Sequence, residues 1–378
     1  MEKIIKICHV TSSHPPEDGR IFRRACIAAV KAGYETHLIQ KGKSYCKNGV
    51  TIHGIGIPRN NSRLYLFTVF NKKAYQEALK VDADIYHLHD LELLIYALKL
   101  VKKGKKVIFD SHENYTEQIK IKPYLPHYLS LIISRCYDRF SKYIFSRIDG
   151  VTYPGLEGVN NPYDGTCKRV VTSDNYPWKE EMYDRYNENA IKEKRSICYI
   201  GGLDESRGIT QTIKAGYESN CKVYLAGKFF SSEYRESLEK MKEYSCVDYL
   251  GEIRHEQIVE LLQKVEIGVC LLTDVGQYYK MNNFPTKVYE YMSMGLPVIL
   301  NDSPFNKEWV QKLNIGFSVN PNEIHEVSKA INMILADDEL RMIQGRNGRE
   351  AINNYFNWDT EQKKLINLYH DILSDDGE

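Results

Sequence analysis

A segment in the second half of the chain combines a predicted helix start with a positive charge. Pro285 suits the first turn of a helix, where its missing N–H costs nothing. The free backbone N–H groups of Thr286 and Lys287 would then point out of the helix and bind an anion, and the Lys287 ammonium adds a full charge. Glu290, one turn later, can accept two hydrogen bonds from a vicinal diol such as that of a ribose. An ordinary capped amphipathic helix with a Lys-Glu pair would explain the same residues.

A second turn that suits an anion follows the strand predicted at residues 195–200. Gly201 and Gly202 let a phosphate approach the backbone closely, and Arg207 offers a bidentate contact. The spacing fits neither GxGxxG nor a Walker loop, so it predicts neither an NAD site nor an ATP site. A plain tight turn would explain the glycines alone. Two such helix starts in one domain nevertheless favour a ligand that carries a diphosphate.

Polar segments follow three strands predicted in the first half, at residues 4–11, 85–89 and 106–111. Ligands bind beyond the carboxyl ends of the strands in a parallel sheet, so we expect these segments to line a site. His112 is the leading candidate because it directly follows a strand, and a histidine satisfied inside the core is the alternative. The candidate residues of the three segments are Asp18, Gly19, Arg20, His89, His112 and Glu113.

A metal cluster of His87, His89 and His112 is another interpretation of the same strand ends. Residues i and i+2 of a strand face the same side, so His87 and His89 could chelate an ion. No third ligand with firm spacing is evident in the sequence, so we predict no metal site here.

Two α/β domains are needed to position these segments. Short apolar strands alternate with helical patterns through the first half, which predicts a parallel sheet with helices on both faces. The pattern restarts near residue 178, within the polar link at residues 177–194, and predicts a second domain of the same class. A closing helix is predicted at residues 358–373.

The composition bounds the function classes. A chain of 378 residues is too long for one hydrophobic core of ordinary size, and 43% apolar residues with 27% charged residues are typical of a globular protein. The net charge of +1 gives no reason to expect nucleic acid as a partner. The nine cysteines form no CxxC pair, so we interpret them as small hydrophobic residues in a reducing cytosol.

Five short markers occur in a fixed order along the second half. They are Gly-Gly-Leu at 201–203, Arg-Gly at 207–208, Leu-Ala-Gly at 225–227, Gly-Glu-Ile at 251–253 and the segment from Glu290 to Gly-Leu-Pro-Val at 295–298. This order resembles the family 4 glycosyltransferases (glycosyl transferases group 1) of the GT-B fold, and the resemblance runs over most of the chain. It implies an α/β fold of two Rossmann-like parallel-sheet domains facing a cleft.

The resemblance also implies domain roles. Residues 1–176 would form the acceptor-side domain, residues 177–357 the domain that binds the nucleotide-sugar, and residues 358–378 a helix that crosses back. The implied reaction moves a sugar from a UDP- or GDP-linked donor to a glycan or lipid-linked glycan in bacterial surface polysaccharide synthesis, with retention at the anomeric carbon. The donor is a substrate, and no cofactor or metal is expected because Arg207, Lys287 and the helix start neutralise the leaving diphosphate.

Residue roles follow from the same resemblance. Arg207 and Lys287 would stabilise the diphosphate, Glu290 would hold the ribose, and the base would be read by backbone near Ile253. His112 and the loop at 17–20 would line the sugar and acceptor side. Further donor-side and acceptor-side contacts are expected at Gly19, Arg20, His89, Gly201, Gly202, Gly227, Asn282, Asn283, Phe284, Pro285 and Thr286.

The fate of the acceptor proton depends on stereochemistry. Under retention the leaving phosphate takes the proton, whereas under inversion Asp18 or Glu113 would be the base. Asn282 departs from the family pattern, because many members carry a second glutamate there that contacts the donor sugar, so the identity of the sugar stays open. A sugar-nucleotide epimerase of the same fold and a non-catalytic glycan-binding subunit are the alternatives.

Between residues 120 and 147, basic residues interleave with large apolar ones. They could form a surface that touches anionic lipid and a polyprenyl-linked acceptor. For most of this stretch we favour a helix whose apolar face packs on the sheet, with residues 119–128 as the better candidate for acceptor contact. The N-terminus lacks the apolar core of a signal peptide and no apolar run approaches the roughly 18 residues of a membrane span, so we expect a cytoplasmic protein, peripheral at the inner face of the membrane.

Overall fold

The computed structural model describes residues 4–60, 62, 65–112, 115–120, 126–155, 161–273 and 283–375. The chain divides into two compact units, Met1–Asn175 together with Glu361–Glu378, and Tyr176–Thr360. Each unit is built on a sheet of predominantly parallel strands with helices between successive strands. The predicted α/β class with two parallel-sheet domains is therefore confirmed.

Among the described residues, the first unit holds an eight-stranded sheet in the order β3-β4-β2-β1-β5-β6-β7-β8. Neighbouring strands are parallel except for β3, which runs antiparallel to β4. The strands are β1 (Lys6–Val10), β2 (Glu35–Gln40), β3 (Tyr45–Lys47), β4 (Val50–Gly54), β5 (Ile85–Leu88), β6 (Lys106–Asp110), β7 (Gly150–Tyr153) and β8 (Val170–Thr172).

Helices of the first unit follow the strands as the sequence pattern predicts. Two of them begin with a π-helical turn, Ile21–Cys26 before α1 and Leu66–Phe70 before α2. The α-helices are α1 (Ile27–Lys31), α2 (Asn71–Val81), α3 (Leu94–Val101), α4 (Tyr115–Lys120) and α5 (His127–Phe145).

The second unit carries a six-stranded, fully parallel sheet among its described residues, in the order β11-β10-β9-β12-β13-β14. Its strands are β9 (Ser196–Ile200), β10 (Lys222–Ala226), β11 (Val247–Gly251), β12 (Ile267–Cys270), β13 (Val298–Asn301) and β14 (Gly316–Val319). Its helices are α6 (Ile209–Glu218), α7 (Ser232–Glu239), α8 (His255–Lys264), α9 (Thr286–Ser293), α10 (Pro304–Leu313), α11 (Ile324–Ala336) and α12 (Asp338–Asn354).

The central strands are apolar because helices cover both faces of each sheet. All five residues of β9 are buried, which is typical of a strand inside a parallel sheet. In the first unit, Ala74 and Ala78 lie one turn apart on α2 and pack into the core that also contains Tyr86 and Phe109. Burial of these apolar side chains therefore stabilises the sheets that position the polar residues at the strand ends.

The closing helix, α13 (Trp358–Ser374), begins in the second unit and continues from residue 361 in the first. Its first residue, Trp358, is buried with its ring centroid 6.3 Å from that of Trp178. Further along, the fully buried Tyr369 donates its hydroxyl to His87 Nδ1 over 2.9 Å. Helix α13 thus belongs to the core of the first unit over most of its length.

The helix predicted to hold Pro285 in its first turn begins one residue later, at Thr286. Pro285 occupies the N-cap with φ −57° and ψ 145°, an extended conformation, rather than the first helical position. Phe284 is buried against Tyr289 and Phe305, with ring centroids 5.9 and 5.1 Å away. Packing of this aromatic ring therefore holds the chain extended ahead of the helix.

Over the described part of the chain, no helix is both long and apolar enough to cross a membrane.

Two glycines of the second unit provide a matched test of how closely the turn before α6 packs on the neighbouring backbone. Gly208 and Gly251 have nearly the same backbone conformation, with φ of +68° and +67°. A Cβ at Gly208 would lie 1.9 Å from the carbonyl oxygen of Leu271, whereas a Cβ at Gly251 would meet nothing within 4 Å. We expect Gly251→Ala to lower the free energy of unfolding by about 1–2 kcal/mol for its left-handed backbone, and Gly208→Ala by at least about 1–3 kcal/mol more because the backbone must shift.

Denaturant unfolding of the two variants and the wild type measures this difference. Equal losses of stability would show that Gly208 is not in close contact with the Leu271 backbone.

Candidate functional site

Polar side chains of the first unit meet at one edge of the sheet. Strands β1, β5 and β6 are neighbours, with Val10 paired to Leu88 and Leu88 paired to Phe109. The residues that follow these pairs therefore emerge side by side at the carboxyl ends of the strands. They include His89 after β5 and Asp110 at the end of β6.

The carboxylate of Asp110 lies at the centre of this edge and is 3% exposed. Its Oδ1 accepts hydrogen bonds from Arg20 Nη2 over 2.5 Å and from the Thr152 hydroxyl over 2.8 Å. Its Oδ2 accepts from Arg20 Nε over 2.8 Å. The same oxygen lies 3.1 Å from His89 Nδ1 and 3.1 Å from His112 Nε2. One buried carboxylate thus organises three of the residues that the sequence singled out.

Burial alone would raise the pKa of Asp110, but the Arg20 guanidinium and the His112 hydrogen bond hold it well below its usual range. Arg20 is itself buried and also donates to the Ser173 carbonyl over 2.5 Å. The predicted contact residue Arg20 is therefore turned inward, toward Asp110 and the backbone. It positions the site rather than presenting its donors on the surface.

The tautomers of the neighbouring histidines follow from Asp110. His89 Nδ1 donates to the carboxylate, so His89 Nε2 is left to accept from His9 Nδ1, 3.0 Å away. Burial lowers the pKa of His89 to about 3 and that of His9 well below its usual value, so both rings are neutral. The other nitrogen of His9, Nε2, is buried without a hydrogen-bond partner among the described residues.

His87 joins the same network from the other side. The Thr152 hydroxyl donates to Asp110, so it can accept from His87 Nε2, 3.4 Å away, while His87 Nδ1 accepts from Tyr369. The ring of His87 stacks on that of His89 with centroids 4.6 Å apart. The structure therefore supplies the further histidine and carboxylate neighbours that sequence spacing did not reveal.

Two triplets have ligand atoms within 4.8 Å of one another, His9 with His87 and His89, and His89 with Asp110 and His112. Such a set could hold a metal ion. In the present arrangement both nitrogens of His89 and both oxygens of Asp110 are engaged in hydrogen bonds. A metal would have to displace these bonds, and no metal contact is assigned.

A second buried carboxylate, Asp90, anchors the loop that follows β1. It accepts from the backbone N–H groups of Ser12 and Ser13, from the Thr11 hydroxyl over 3.1 Å, and from His14 Nδ1 over 2.8 Å. Burial would raise the pKa of Asp90, but the His14 hydrogen bond and charge lower it to about 2. Burial alone would lower the pKa of His14, but the hydrogen bond to Asp90 and the charge of Asp90 raise it above its ordinary value.

His14 and His112 form a pair of half-buried imidazoles with ring centroids 4.4 Å apart. Each is anchored through one nitrogen to a buried carboxylate, His14 to Asp90 and His112 to Asp110. Neither second nitrogen has a hydrogen-bond partner among the described residues. The pair is therefore oriented to donate or accept a hydrogen bond, or to move a proton, at a ligand.

His14, Asp90 and Asp110 were not among the predicted site residues. A signal was present for Asp90, which follows the predicted residue His89, and for Asp110, which ends β6 two residues before His112. His14 lies in the loop after β1 and carried no such signal. Asp18 was selected, and its Oδ1 accepts from the backbone N–H groups of Arg20 and Ile21 over 2.8 and 3.1 Å, so it caps the helical turn. Gly19 lies in the same turn, and its carbonyl accepts from Arg24 Nη1 over 2.8 Å. Glu113 and Asn282 lie outside the described residues.

The second unit places a cation under an exposed glycine. Lys287 is 9% exposed, and its Nζ lies 4.8 Å from the ring centroid of Tyr199. Among the residues that the structure describes, no carboxylate lies within ion-pair distance of Lys287. Gly201 is exposed with φ +112°, and a Cβ there would lie 3.2 Å from Lys287 Cε and 3.5 Å from Nζ. The absence of a side chain at Gly201 therefore leaves this flank of the ammonium uncovered.

Arg207 lies in the turn before α6. The side chain of Asp204 accepts from the Arg207 N–H and caps the turn, and its Oδ2 lies 3.2 Å from Arg207 Nε. The guanidinium lies 5.7 Å from the ring of Phe230, against which a Cβ at Gly202 would clash at 2.5 Å. An anion that bound to Arg207 would therefore contact a guanidinium that is also paired with Asp204.

Gly227 leaves no room for a side chain because two backbone segments approach closely there. A Cβ at Gly227 would lie 1.9 Å from the Gly201 carbonyl oxygen, so the turns after β9 and β10 touch only because this residue has no side chain. Ile253, two residues beyond β11, is half-buried. The ends of β9, β10 and β11 are neighbours in the sheet, so these predicted contacts share one edge.

The residues around α9 divide between packing and surface. Phe284 is buried, Asn283 and Pro285 are half-buried, and Thr286 is exposed at the helix start. Glu290 is half-buried one turn after Lys287. The exposed start of the helix and Glu290 fit the predicted anion and diol contacts, whereas Phe284 serves the fold.

A family model described as Glycosyl transferases group 1 matches residues 183–351, which lie within the second unit. The match contains Gly201, Arg207, Lys287 and Glu290. The family match therefore covers the part of the second unit that holds the predicted diphosphate contacts.

A relative and two solved structures extend the likeness. CapM, a capsular polysaccharide biosynthesis glycosyltransferase of Staphylococcus aureus, is 22% identical over 212 residues, 53% of this chain and 51% of CapM. The chain spans about half the length of the curated relatives it matches. Sucrose-phosphate synthase from Thermosynechococcus elongatus has a TM-score of 0.73 at 17% identity, over 98% of this chain and 99% of that one. Anabaena HepE, in complex with UDP and glucose, has a TM-score of 0.70 at 13% identity, over 97% and 99%.

Likeness at these identities shows the fold. Both parallel-sheet α/β units match GT-B glycosyltransferase structures, which confirms the fold that the five markers implied.

The Asp90 network predicts a pH-dependent contribution to stability. Since the folded pKa of about 2 lies below that of an unfolded aspartate, the charge of Asp90 stabilises the fold above about pH 4, and this stabilisation is lost as the pH falls through about 2. A depression of roughly two pKa units corresponds to about 2–3 kcal/mol. We expect Asp90→Asn to lower the free energy of unfolding by about that amount at neutral pH, with the deficit shrinking below about pH 4.

Urea unfolding across this pH range measures the deficit, with the exposed Asp371 replaced by asparagine as the control. A deficit that does not change on acidification would contradict the assigned charge state of Asp90.

Proposed function

We propose that this protein is a glycosyltransferase that moves a sugar, in particular a hexose, from a nucleoside-diphosphate sugar to a glycan or lipid-linked glycan acceptor. One observation carries the proposal. Lys287 is only 9% exposed, has no carboxylate within ion-pair distance among the described residues, and lies under the exposed Gly201. Burying a cation without a counter-charge is costly. A bound anion would supply that counter-charge, which gives the arrangement a function.

A diphosphate fits this edge of the sheet better than a single small anion. Lys287 and the start of α9 offer one group of donors, and Arg207 at the turn before α6 offers another. Burial raises the pKa of the Cys270 thiol, and the charges of Lys287 and Arg207 both oppose this rise. The two cations therefore lie within electrostatic range of the same side chain. HepE, which shares the fold, was solved with UDP and glucose, and this supports a nucleotide-sugar as the donor class.

The transfer step assigns work to each group. The bond between the anomeric carbon and the phosphate oxygen breaks as the bond to the acceptor oxygen forms. Negative charge then grows on the leaving diphosphate, and Lys287 and Arg207 stabilise it. Glu290 would accept hydrogen bonds from the ribose, and backbone near Ile253 would contact the base.

The first unit would supply the groups for the sugar and the acceptor. His14 and His112 are held by buried carboxylates, and the second nitrogen of each has no hydrogen-bond partner among the described residues, so it could bind a hydroxyl group. We propose retention at the anomeric carbon, in which the acceptor proton passes to an oxygen of the leaving phosphate. Asp18, which caps a helical turn through Oδ1, has no required proton-transfer role in this scheme.

The proposed acceptor is a growing glycan of a bacterial surface polysaccharide, supported by the likeness to CapM. The enzyme would act at the inner face of the cell membrane, where a polyprenyl-linked acceptor is available. No metal and no cofactor enters the proposed step.

Product analysis tests the proposed reaction. Purified protein is incubated with a panel of UDP- and GDP-sugars, with and without a bacterial lipid extract that contains polyprenyl-linked glycans. Transfer predicts release of nucleoside diphosphate with sugar incorporated into lipid only when extract is present. An epimerised donor formed without extract would instead identify an isomerase, and release in neither case would contradict the proposal.

Two substitutions test the diphosphate contacts. We expect Lys287→Met and Arg207→Ala each to lower kcat/KM by about 30- to 900-fold, equivalent to about 2–4 kcal/mol of transition-state stabilisation. Lys312→Met is the matched control for Lys287, because Lys312 also lies over an aromatic ring, that of Trp309 at 4.3 Å, but is exposed.

Steady-state kinetics with the donor identified by product analysis measures these losses, with circular dichroism to confirm the fold. Near-normal turnover in both site variants would remove the diphosphate assignment.

A further inference from the structure

Helix α5 presents its large apolar side chains outward. Tyr128, Ile132 and Tyr143 are 69%, 52% and 53% exposed, and Leu129, Ile133 and Phe140 are also exposed. An inward apolar face was predicted for most of this helix, and for these residues that prediction was wrong. We define these six side chains as the α5 apolar face.

Small polar residues occupy the buried side of the same helix. Ser130, Ser134 and Ser141 are 0%, 1% and 4% exposed. Ser130 donates to the Lys120 carbonyl over 3.2 Å, and Ser134 donates to the Thr116 carbonyl over 2.8 Å, both on α4. Ser130 and Ser134 satisfy backbone acceptors of α4 and let the two helices approach closely, so the buried side of α5 needs no large apolar residue there.

The spacing shows that the α5 apolar face is one continuous stripe. Tyr128 and Ile132 are four residues apart, as are Leu129 and Ile133, and Phe140 and Tyr143 continue the same side two turns later. Scattered single apolar residues on a surface need no explanation, but a contiguous stripe marks an interaction site.

Basic residues border the stripe. Arg135, Arg139, Lys142 and Arg147 are all exposed, and the guanidinium of Arg147 lies 3.7 Å from the ring of Tyr143. Asp138 is paired with Lys142 over 2.9 Å and offsets its charge. The border therefore carries a net positive charge from its three arginines.

We propose that the α5 apolar face is a membrane-docking surface that inserts into the interface of a bilayer containing anionic phospholipid. A helix with an apolar stripe and flanking arginines and lysines is suited to lie in the plane of such an interface, with the stripe in the acyl boundary and the cations at the headgroups. The tyrosines suit this depth because their rings are apolar and their hydroxyl groups are polar.

The charge pattern favours a bilayer over a second copy of the chain. In a symmetric dimer through this face, the same patch would meet itself, so the arginine-rich borders would be brought together and repel. Anionic headgroups instead complement the border. The surface would bring the enzyme to a lipid-linked acceptor and in that respect rests on the proposed function, but docking itself requires neither donor nor acceptor.

Vesicle co-sedimentation tests the proposal with the full chain and without any nucleotide or glycan. The probes are phosphatidylcholine vesicles with and without about one third phosphatidylglycerol. We expect the wild type to sediment with the anionic vesicles and less with the neutral ones. Failure to bind either vesicle would overturn the docking surface and would leave the transfer reaction untouched.

Exposed side chains provide variants that should fold normally. Tyr128→Gln with Ile132→Gln should weaken binding to anionic vesicles by at least about tenfold because the apolar stripe is interrupted. Arg135→Gln with Arg139→Gln should weaken it about 30-fold and reduce the preference for anionic lipid. Ile191→Gln is the matched control, since Ile191 is 93% exposed in the other unit and should bind like the wild type.

Two results would contradict the proposal. Wild-type affinity in both double variants would show that binding resides elsewhere. Concentration-dependent dimerisation in sedimentation velocity, lost in the Tyr128→Gln and Ile132→Gln variant and without vesicle binding, would show that a second copy covers the face.

Discussion

The buried carboxylate of Asp110 is the interaction on which the polar edge of the first unit depends. It bonds bidentately to Arg20 and also receives Thr152, His89 and His112. These partners come from four separate stretches of chain, so Asp110 ties β6, β7 and the loops after β1 and β5 together. A charged carboxylate this buried is tolerable only when it is paired and hydrogen-bonded. The orientation of His112 is therefore a consequence of the folding of the whole edge.

The second unit buries a positive charge instead of a negative one. Lys287 keeps a cation inside the protein without a carboxylate partner among the described residues, next to the ring of Tyr199 and under Gly201. Bare backbone at Gly201 and Gly227 allows this close packing at the strand ends. The first unit thus orients imidazoles with buried negative charge, while the second holds a positive charge that a bound anion would neutralise. That division suits transfer of a sugar from an anionic leaving group.

The sequence predicted the two parallel-sheet units because apolar strand runs and glycine-ended helices are local signals. It also selected His112, Arg207 and Lys287 from their positions after strands or at helix starts. Asp110 and Asp90 escaped selection because their importance arises from partners that are distant in sequence, such as Arg20, 90 residues away. The direction of the α5 apolar face escaped for a related reason. Periodicity shows that a helix has an apolar side, but only the packing of its serines on α4 shows which side faces inward.

Above all, the proposed function requires the second unit to bind a nucleoside diphosphate through its phosphates. Calorimetric titration of UDP against uridine, and of GDP against guanosine, isolates the phosphate contribution in the wild type and in Lys287→Met. We predict that one diphosphate binds at least about tenfold more tightly than its nucleoside. In the variant this ratio should fall toward one while the affinity for the nucleoside is unchanged. A wild-type protein that binds neither diphosphate, or a ratio that Lys287→Met leaves intact, would contradict the account.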